Sequence, residues 1–127
     1  MLITHTTRNY RQTQKLGERL AKEILKTPLQ KTAVILGLKG NLGGGKTTFL
    51  QGFAKGLGIK EKILSPTFVI MKKFQIAPVV KSTPWRGIHD RWFYHFDCYR
   101  INKPEEILEF DFRLIFSYSY LAFCQPR

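Results

Sequence analysis

The residues from Gly40 to Thr47 are the ones most clearly suited to chemistry. They read Gly-Asn-Leu-Gly-Gly-Gly-Lys-Thr and fit the pattern G-x-x-x-x-G-K-[ST] of phosphate-binding loops. Glycines allow the backbone to curl, so that successive N–H groups point at phosphate oxygens. Lys46 adds a positive charge for the same oxygens, and the Thr47 hydroxyl is suited to bind Mg²⁺. The segment therefore predicts a site for the phosphates of a nucleotide.

Two elements must position this loop. The apolar residues 33–38 predict a short buried strand before it. Apolar residues at 49, 50, 53, 54 and 57 recur at helical spacing after it. They predict a helix over 47–57 whose positive N-terminus faces the phosphate. Strand, loop and helix in this order are the context that the motif requires, and the alternative is an accidental glycine-rich turn.

Nucleotide hydrolysis also needs an acid that organises Mg²⁺ and a group that positions the attacking water. Asp97 lies in the aromatic residues 91–99, which predict a strand, and α/β sheets present ligand-binding residues at such strand ends. The alternative is that Asp97 caps the following turn. Thr67 is the second candidate, because its hydroxyl could sense the γ-phosphate and Mg²⁺ as switch threonines do. Its Ser-Pro-Thr context is equally typical of an ordinary turn before a strand.

Two neighbours of Asp97 are weaker candidates. His95 shares the strand face of Asp97, which allows a role in proton transfer, but a histidine packed inside the sheet is the favoured interpretation. Arg100 could pair with Asp97 or reach a phosphate, and it could equally be a surface arginine.

The rest of the chain predicts a single α/β domain over residues 1–127. An amphipathic helix is predicted over 10–25, because apolar residues recur there at spacings of three and four. The predicted elements after the loop are a strand from 68 to 71 that continues to 74, a short helix over 104–110, and a strand at 114–116 or 120–123 that cannot be assigned to one of the two.

Composition limits the possible classes of function. The net charge of +12, from 21 basic and 9 acidic residues, favours polyanionic partners, and it is also compatible with a plainly solvated surface. No apolar segment approaches the roughly 20 residues that cross a bilayer. The first residues lack a secretory signal, so we expect a cytoplasmic protein without membrane contact. The two cysteines form neither a metal-binding spacing nor a disulfide framework.

Several stretches together resemble the TsaE (YjeE) family of bacterial ATPases, which are needed to make threonylcarbamoyladenosine in tRNA. The resemblance covers about residues 7–111. The stretches that carry it occur in the family's order: the helix with Thr13 and Leu16–Ala21, Gly40–Phe49, Gly56–Gly58, Ser65–Phe68 and His95–Arg100.

The resemblance implies a three-layer P-loop sheet flanked by helices, which binds ATP and Mg²⁺. It implies that Thr67 and Asp97 belong to two switch segments that act in catalysis, and that Thr47 and Asp97 organise the metal. The implied nucleotide contacts are Thr13, Asn41, Leu42, Gly43, Gly44, Gly45, Lys46, Thr47 and Thr48. The implied partners are a TsaD-like transferase and a TsaB-like subunit, whose complex ATP hydrolysis resets, with tRNA contacted through that complex.

Residues 112–127 depart from the family. Family members continue into an apolar strand that ends in Glu-Trp-Pro, and that glutamate is implicated in hydrolysis. Here no Glu follows Asp111 and no Trp follows Trp92. We therefore expect an atypical tail, with the C-terminal strand missing or altered and with impaired hydrolysis.

Two other functions fit the same phosphate-binding loop. One is a small P-loop kinase that phosphorylates a metabolite or a nucleoside, although 127 residues leave little room for an acceptor pocket and a lid. The other is a non-catalytic module whose binding to tRNA or to a protein is controlled by a nucleotide.

Overall fold

The computed structural model describes residues 2–26, 34–41, 43–64, 71–76, 92–97, 103, 105 and 119–125. They form two helices and four strands. In chain order these are α1 (Tyr10–Lys26), β1 (Val34–Lys39), α2 (Lys46–Gly56), β2 (Met71–Gln75), β3 (Trp92–Asp97) and β4 (Ser119–Gln125). The predicted helices 10–25 and 47–57 and the predicted strand 33–38 are confirmed to within one or two residues. Of the predicted strands 68–74 and 91–99, residues 71–74 lie in β2 and 92–97 in β3, and the others lie outside the described residues. The predicted helix 104–110 lies outside the described residues, apart from Glu105.

Helix α1 starts where its sequence provides a cap. Asn9 Oδ1 accepts a hydrogen bond of 2.9 Å from the backbone N–H of Gln12, and Gln12 Oε1 accepts one of 2.8 Å from the N–H of Arg8. These two bonds satisfy backbone donors that no helical carbonyl can reach. Gly17 and Ala21 are the buried residues of the helix, while its charged residues stay at or near the surface. The prediction of an amphipathic helix is therefore confirmed.

The four strands form one mixed sheet in the order β1-β4-β3-β2. Strand β4 runs parallel to β1 on one side and to β3 on the other, with Ala122 beside Leu36 and His95. Strand β2 is antiparallel to β3 and lies at the edge of this sheet. The chain thus has the predicted α/β fold, and the three-layer arrangement stays a prediction.

Strand β4 shows that the tail contributes a strand to the sheet. A C-terminal strand altered from that of the family stays a prediction. Of the two alternatives for the tail, the segment 120–123 lies inside β4, and 114–116 lies outside the described residues. Residues 119–125 fill the central place between β1 and β3. A central strand pairs its backbone groups on both sides, so these seven residues link the two halves of the sheet.

The core lies between α2 and one face of the sheet. Phe93 of β3 is fully buried, and its ring centroid lies 5.8 Å from that of Phe53 in α2 and 6.1 Å from that of Phe74 in β2. Leu50 of α2 is also fully buried. Tilted ring pairs at these distances add to the stabilisation from apolar burial. This core holds α2, and with it the preceding loop, against the sheet.

Helices α1 and α2 lie side by side and point in the same direction. A Cβ built on Gly17 of α1 would lie 2.9 Å from the backbone nitrogen of Phe53. One built on Gly56 of α2 would lie 2.7 Å from Cβ of Ala21. Such an approach leaves no room for larger side chains between the two backbones. Both N-termini therefore lie near the loop that follows β1.

Candidate functional site

The loop after β1 curls because two of its glycines adopt left-handed conformations. The φ angle is 78° at Gly43 and 89° at Gly45, in the region that other residues rarely adopt. Between them, the N–H of Gly44 donates a hydrogen bond of 2.9 Å to the carbonyl oxygen of Asn41. The glycine pattern seen in the sequence is therefore used to make a tight turn directly before α2.

The N-terminus of α2 is built to accept an anion. Gly45 is its N-cap and provides no capping side chain, and the N–H of Phe49 closes the first turn on the carbonyl of Gly45 at 2.9 Å. The N–H groups of the first turn lack partners within a helix and carry the positive end of its dipole. A phosphate oxygen can satisfy these donors. Thr47 and Thr48 lie in this turn and are half-buried.

Lys46 is folded over the loop that it follows. Its Nζ donates hydrogen bonds to the carbonyl oxygens of Gly40 and Asn41, the second at 2.8 Å. The ammonium group is therefore held at the mouth of the loop, and its side chain is half-buried. A bound phosphate would offer the same three-donor group stronger, charged acceptors.

Helix α1 brings Thr13 to the other side of this loop. The methyl carbon Cγ2 of Thr13 lies 3.8 Å from the position that a Cβ of Gly45 would occupy. Its hydroxyl oxygen lies 2.8 Å from that of Thr7 and 3.3 Å from the carbonyl oxygen of Asn9. Thr13 thus lies beside the loop, and its contact with a nucleotide stays a prediction.

Thr7 is the site neighbour that sequence reasoning missed. It precedes α1, and no motif or periodicity includes it. Only the fold of the chain before α1 places its hydroxyl beside that of Thr13.

Asp97 is the last residue of β3, at the end of the sheet where the loop leaves β1. Its Cα is paired with that of Cys124 in β4, and Lys39, which precedes the loop, is paired with Gln125 in the same strand. The carboxyl ends of parallel strands meet at the same end of a sheet, so Asp97 and the loop both lie at that end. The side chain of Asp97 lies outside the described residues, as do Leu42, Thr67 and Arg100.

His95 and Tyr94 are interior residues of β3. His95 is 2% exposed, which fits the interpretation of a packed histidine. Burial raises the pKa of the Tyr94 hydroxyl above its ordinary value, because the charged phenolate is poorly solvated there.

Among the residues that the structure describes, no group of three or more His, Cys, Asp or Glu side chains is placed to hold a metal ion. Mg²⁺ at a phosphate site needs no such group, because it takes one or two protein oxygens, the phosphates and water. Over the same residues, no helix is long and apolar enough to cross a bilayer. A cytoplasmic location stays a prediction.

Comparison with known proteins assigns the family. The family model described as "Threonylcarbamoyl adenosine biosynthesis protein TsaE" matches residues 7–124. The chain belongs to the TsaE family. The match continues past residue 111, where the resemblance in sequence motifs ended, and it includes most of β4. The tail up to residue 124 is therefore part of the family domain.

Individual TsaE proteins are similar over most of this chain. The one from Haemophilus influenzae is 35% identical over 93 residues, which are 73% of this chain and 51% of that protein. The one from Bacillus subtilis is 40% identical over 79 residues, which are 61% of this chain and 41% of that protein. Both are described as tRNA threonylcarbamoyladenosine biosynthesis protein TsaE. The chain spans about half the length of the relatives it matches.

A solved structure agrees with this assignment. The crystal structure of YdiB from Bacillus subtilis is similar with a TM-score of 0.55 and 27% sequence identity. The similarity covers 94% of this chain and 67% of YdiB. The α/β fold described above is thus that of a TsaE-like protein.

Proposed function

We propose that this chain binds ATP with Mg²⁺ through residues 40–48 and acts as the ATPase component of tRNA threonylcarbamoyladenosine synthesis. One observation carries the proposal. The left-handed Gly45 ends a curled loop at the uncapped N-terminus of α2, with the ammonium group of Lys46 held over that loop. Membership in the TsaE family supplies the pathway, because the related proteins are described by their part in it.

Phosphate binding would replace contacts that already exist. The Lys46 ammonium donates to two carbonyl groups of the loop, those of Gly40 and Asn41. The β- and γ-phosphates would compete for these donors with full negative charges. Backbone N–H groups of the first turn of α2 would bind further phosphate oxygens.

The metal would be held at the end of the sheet where the loop leaves β1 and where β3 ends. Thr47, in the first turn of α2, would provide a hydroxyl ligand, and Asp97 would bind Mg²⁺ directly or through water. Strand β4 separates β1 from β3, so their axes lie about 10 Å apart, at two strand spacings. Thr47 and Asp97 would thus be the residues that hold Mg²⁺, which would neutralise charge on the phosphates. Thr67 would complete the site from the first switch segment.

The proposed partners follow from the family alone. A TsaD-like transferase would carry out the carbamoyl transfer, a TsaB-like subunit would accompany it, and tRNA would be contacted through their complex. ATP hydrolysis by this chain would reset the complex between cycles. We propose that residues 112–127 supply no acid for hydrolysis, because they contain neither Asp nor Glu.

Calorimetric titration with ATP·Mg²⁺ tests the binding site. We expect Lys46→Ala to weaken binding at least tenfold, since one charge-assisted contact to phosphate is worth roughly 1.5–3 kcal/mol. Lys55→Ala is the matched control, because Lys55 is an exposed lysine in the last turn of the same helix. Equal affinities for the chain and for Lys46→Ala would refute the proposed site. Phosphate release, measured with and without TsaD and TsaB proteins, tests turnover separately.

A second candidate function is direct binding of a polyanion such as tRNA. Strand β2 lies at the sheet edge and exposes Lys72 and Lys73, and the net charge of the chain is +12. Nζ of Lys73 lies 4.4 Å from the centre of the Trp92 ring, and this cation–π contact holds the positive charge of Lys73 at β2. tRNA binding by the isolated chain that weakens steeply with salt, without nucleotide turnover, would favour this function.

A further inference from the structure

Thr7 and Thr13 form a hydroxyl pair beside the phosphate-binding loop. Their Oγ1 atoms are 2.8 Å apart, and Oγ1 of Thr13 lies 3.3 Å from the carbonyl oxygen of Asn9. The methyl carbon Cγ2 of Thr13 lies 3.8 Å from the position that a Cβ of the left-handed Gly45 would occupy. Thr7, which precedes α1, is therefore linked to the loop through Thr13.

The number of protons restricts what the pair can do. Two hydroxyl groups have two protons to share among three acceptors, namely Thr7 Oγ1, Thr13 Oγ1 and the carbonyl of Asn9. If Thr13 is to donate its proton to a bound nucleotide, it must turn away from Asn9. The proton of the 2.8 Å bond must then come from Thr7. In that arrangement Thr7 donates to Thr13, and a hydroxyl that accepts a hydrogen bond becomes a stronger donor.

The backbone that follows Thr7 is held by two hydrogen bonds to side chains. The N–H of Arg8 donates to the side chain of Gln12, and the N–H of Gln12 donates to the side chain of Asn9. Thr7 is half-buried, whereas the residues on both sides of it, at 2–6 and 8–9, are exposed. The hydroxyl of Thr7 thus faces that of Thr13, although the segment that carries it lies at the surface.

We propose that Thr7 is a positioning residue for nucleotide binding, which holds the Thr13 hydroxyl as a donor toward the bound nucleotide. The inference rests on the proposed function, because it assumes that the loop binds ATP and that Thr13 contacts the nucleotide, as the family resemblance implies. Thr7 itself does not touch the nucleotide in this proposal. Its effect passes entirely through Thr13.

A double-mutant cycle tests the proposal by titration with ATP·Mg²⁺. Thr7→Val keeps the shape of the side chain and removes the hydroxyl, and we expect it to weaken ATP binding roughly two- to tenfold, the value of one neutral hydrogen bond. In a Thr13→Val background the same change should have no further effect. Thr7→Ser, which keeps the hydroxyl, should retain the affinity of the unmodified chain.

The possible results separate this inference from the function on which it rests. The inference would be overturned if Thr7→Val weakened ATP binding equally with and without the Thr13 hydroxyl. It would also be overturned if Thr7→Val left the affinity for ATP unchanged, or if Thr7→Ser lowered it. Lys46→Ala provides the reference: if it binds ATP as well as the unmodified chain, the proposed function itself fails. Urea unfolding of each variant without nucleotide measures the structural contribution of the hydroxyl pair, and a merely structural role would lower the free energy of unfolding without lowering the affinity for ATP.

Discussion

Gly52 of α2 lies directly against the backbone of Gln14 in α1. A Cβ built on Gly52 would lie 2.5 Å from the carbonyl carbon of Gln14 and 2.7 Å from its Cα. The side-chain Nε2 of Gln14 also donates a hydrogen bond of 3.0 Å to Oε1 of Gln51. These contacts fix how far α1 stands from α2, and thus where Thr13 lies relative to the loop.

Gly52→Ala should therefore destabilise the protein, although alanine favours a helix. The higher helix propensity of alanine is worth about 1 kcal/mol. Against this, α1 would have to move, and overpacking of this kind costs about 1–3 kcal/mol or more. We expect a net decrease in the free energy of unfolding, measured by urea denaturation, and weaker ATP binding because Thr13 is displaced.

Gly37→Ala is the matched control for this prediction. A Cβ on Gly37 would meet no atom within 4 Å, so the same chemical change there should alter the free energy of unfolding by less than about 0.5 kcal/mol. A Gly52→Ala variant as stable as the unmodified chain would show that the two helices are not in such close contact.

Gly45→Ala should be destabilising for a different reason. The new Cβ would lie 3.8 Å from Thr13 Cγ2, an ordinary contact, so there is room for it. The cost arises from the φ angle of 89°, since a residue with a Cβ loses about 1–2 kcal/mol in a left-handed conformation. We expect thermal unfolding to report that loss and calorimetry to show weaker ATP binding. An unchanged unfolding temperature would contradict the loop conformation.

Lys46→Met should affect the free protein as well as the bound one. The variant loses two hydrogen bonds from Nζ to the carbonyls of Gly40 and Asn41, of which the second is exposed to solvent. We expect a loss of about 1 kcal/mol in the absence of nucleotide, because solvent replaces part of these bonds.

Nucleotide should then fail to stabilise the Lys46→Met variant. ATP at one hundred times its dissociation constant stabilises a binding protein by about 2.7 kcal/mol. Melting curves with and without ATP·Mg²⁺ measure both effects. If Lys46→Met and the unmodified chain unfold at the same temperature when both are measured without ATP, the hydrogen bonds from Lys46 to the loop would be contradicted.

Glu18→Gln should change how stability depends on pH. The hydrogen bond from Lys22 holds the pKa of Glu18 below 4.5, helped by the charges of Lys22, Lys55 and Lys15 and opposed by desolvation. A carboxylate with a lowered pKa in the folded state stabilises the protein above its unfolded pKa, and this contribution is lost as the pH falls through the folded pKa. At pH 7 the free energy of unfolding of the unmodified chain should exceed that of Glu18→Gln by up to about 0.5 kcal/mol.

That difference should disappear on acidification from about pH 5 to about pH 3, and urea denaturation at several pH values measures it. Glu23→Gln is the control, because it removes the more exposed Glu23–Lys26 pair, which solvent screens more strongly. A constant difference between the unmodified chain and Glu18→Gln over that range would contradict the prediction.

The local elements could be predicted from the sequence because their signals are local. Apolar residues at helical spacing in 47–57 were sufficient to predict α2, and the apolar residues 33–38 were sufficient for β1. The phosphate-binding motif likewise predicted where backbone curvature occurs, since Gly43 and Gly45 are the residues that adopt it. The roles of these residues in binding stay predictions.

The central place of β4 could not be predicted in the same way. Residues 119–125 alternate too weakly to indicate a sheet face, and their partners Val34–Lys39 and Trp92–Asp97 are distant in the chain. Parallel pairing depends on these long-range contacts and not on local propensity.

The sequence by itself thus determined the loop, the helix behind it and the family. The tertiary structure decided which residues surround the loop. Thr7 lies beside Thr13 through the capped start of α1, and Thr13 lies beside Gly45 because glycines let two helix backbones approach closely. The physical reason is that contacts between separate elements depend on shape and packing, which no local pattern of residue types encodes.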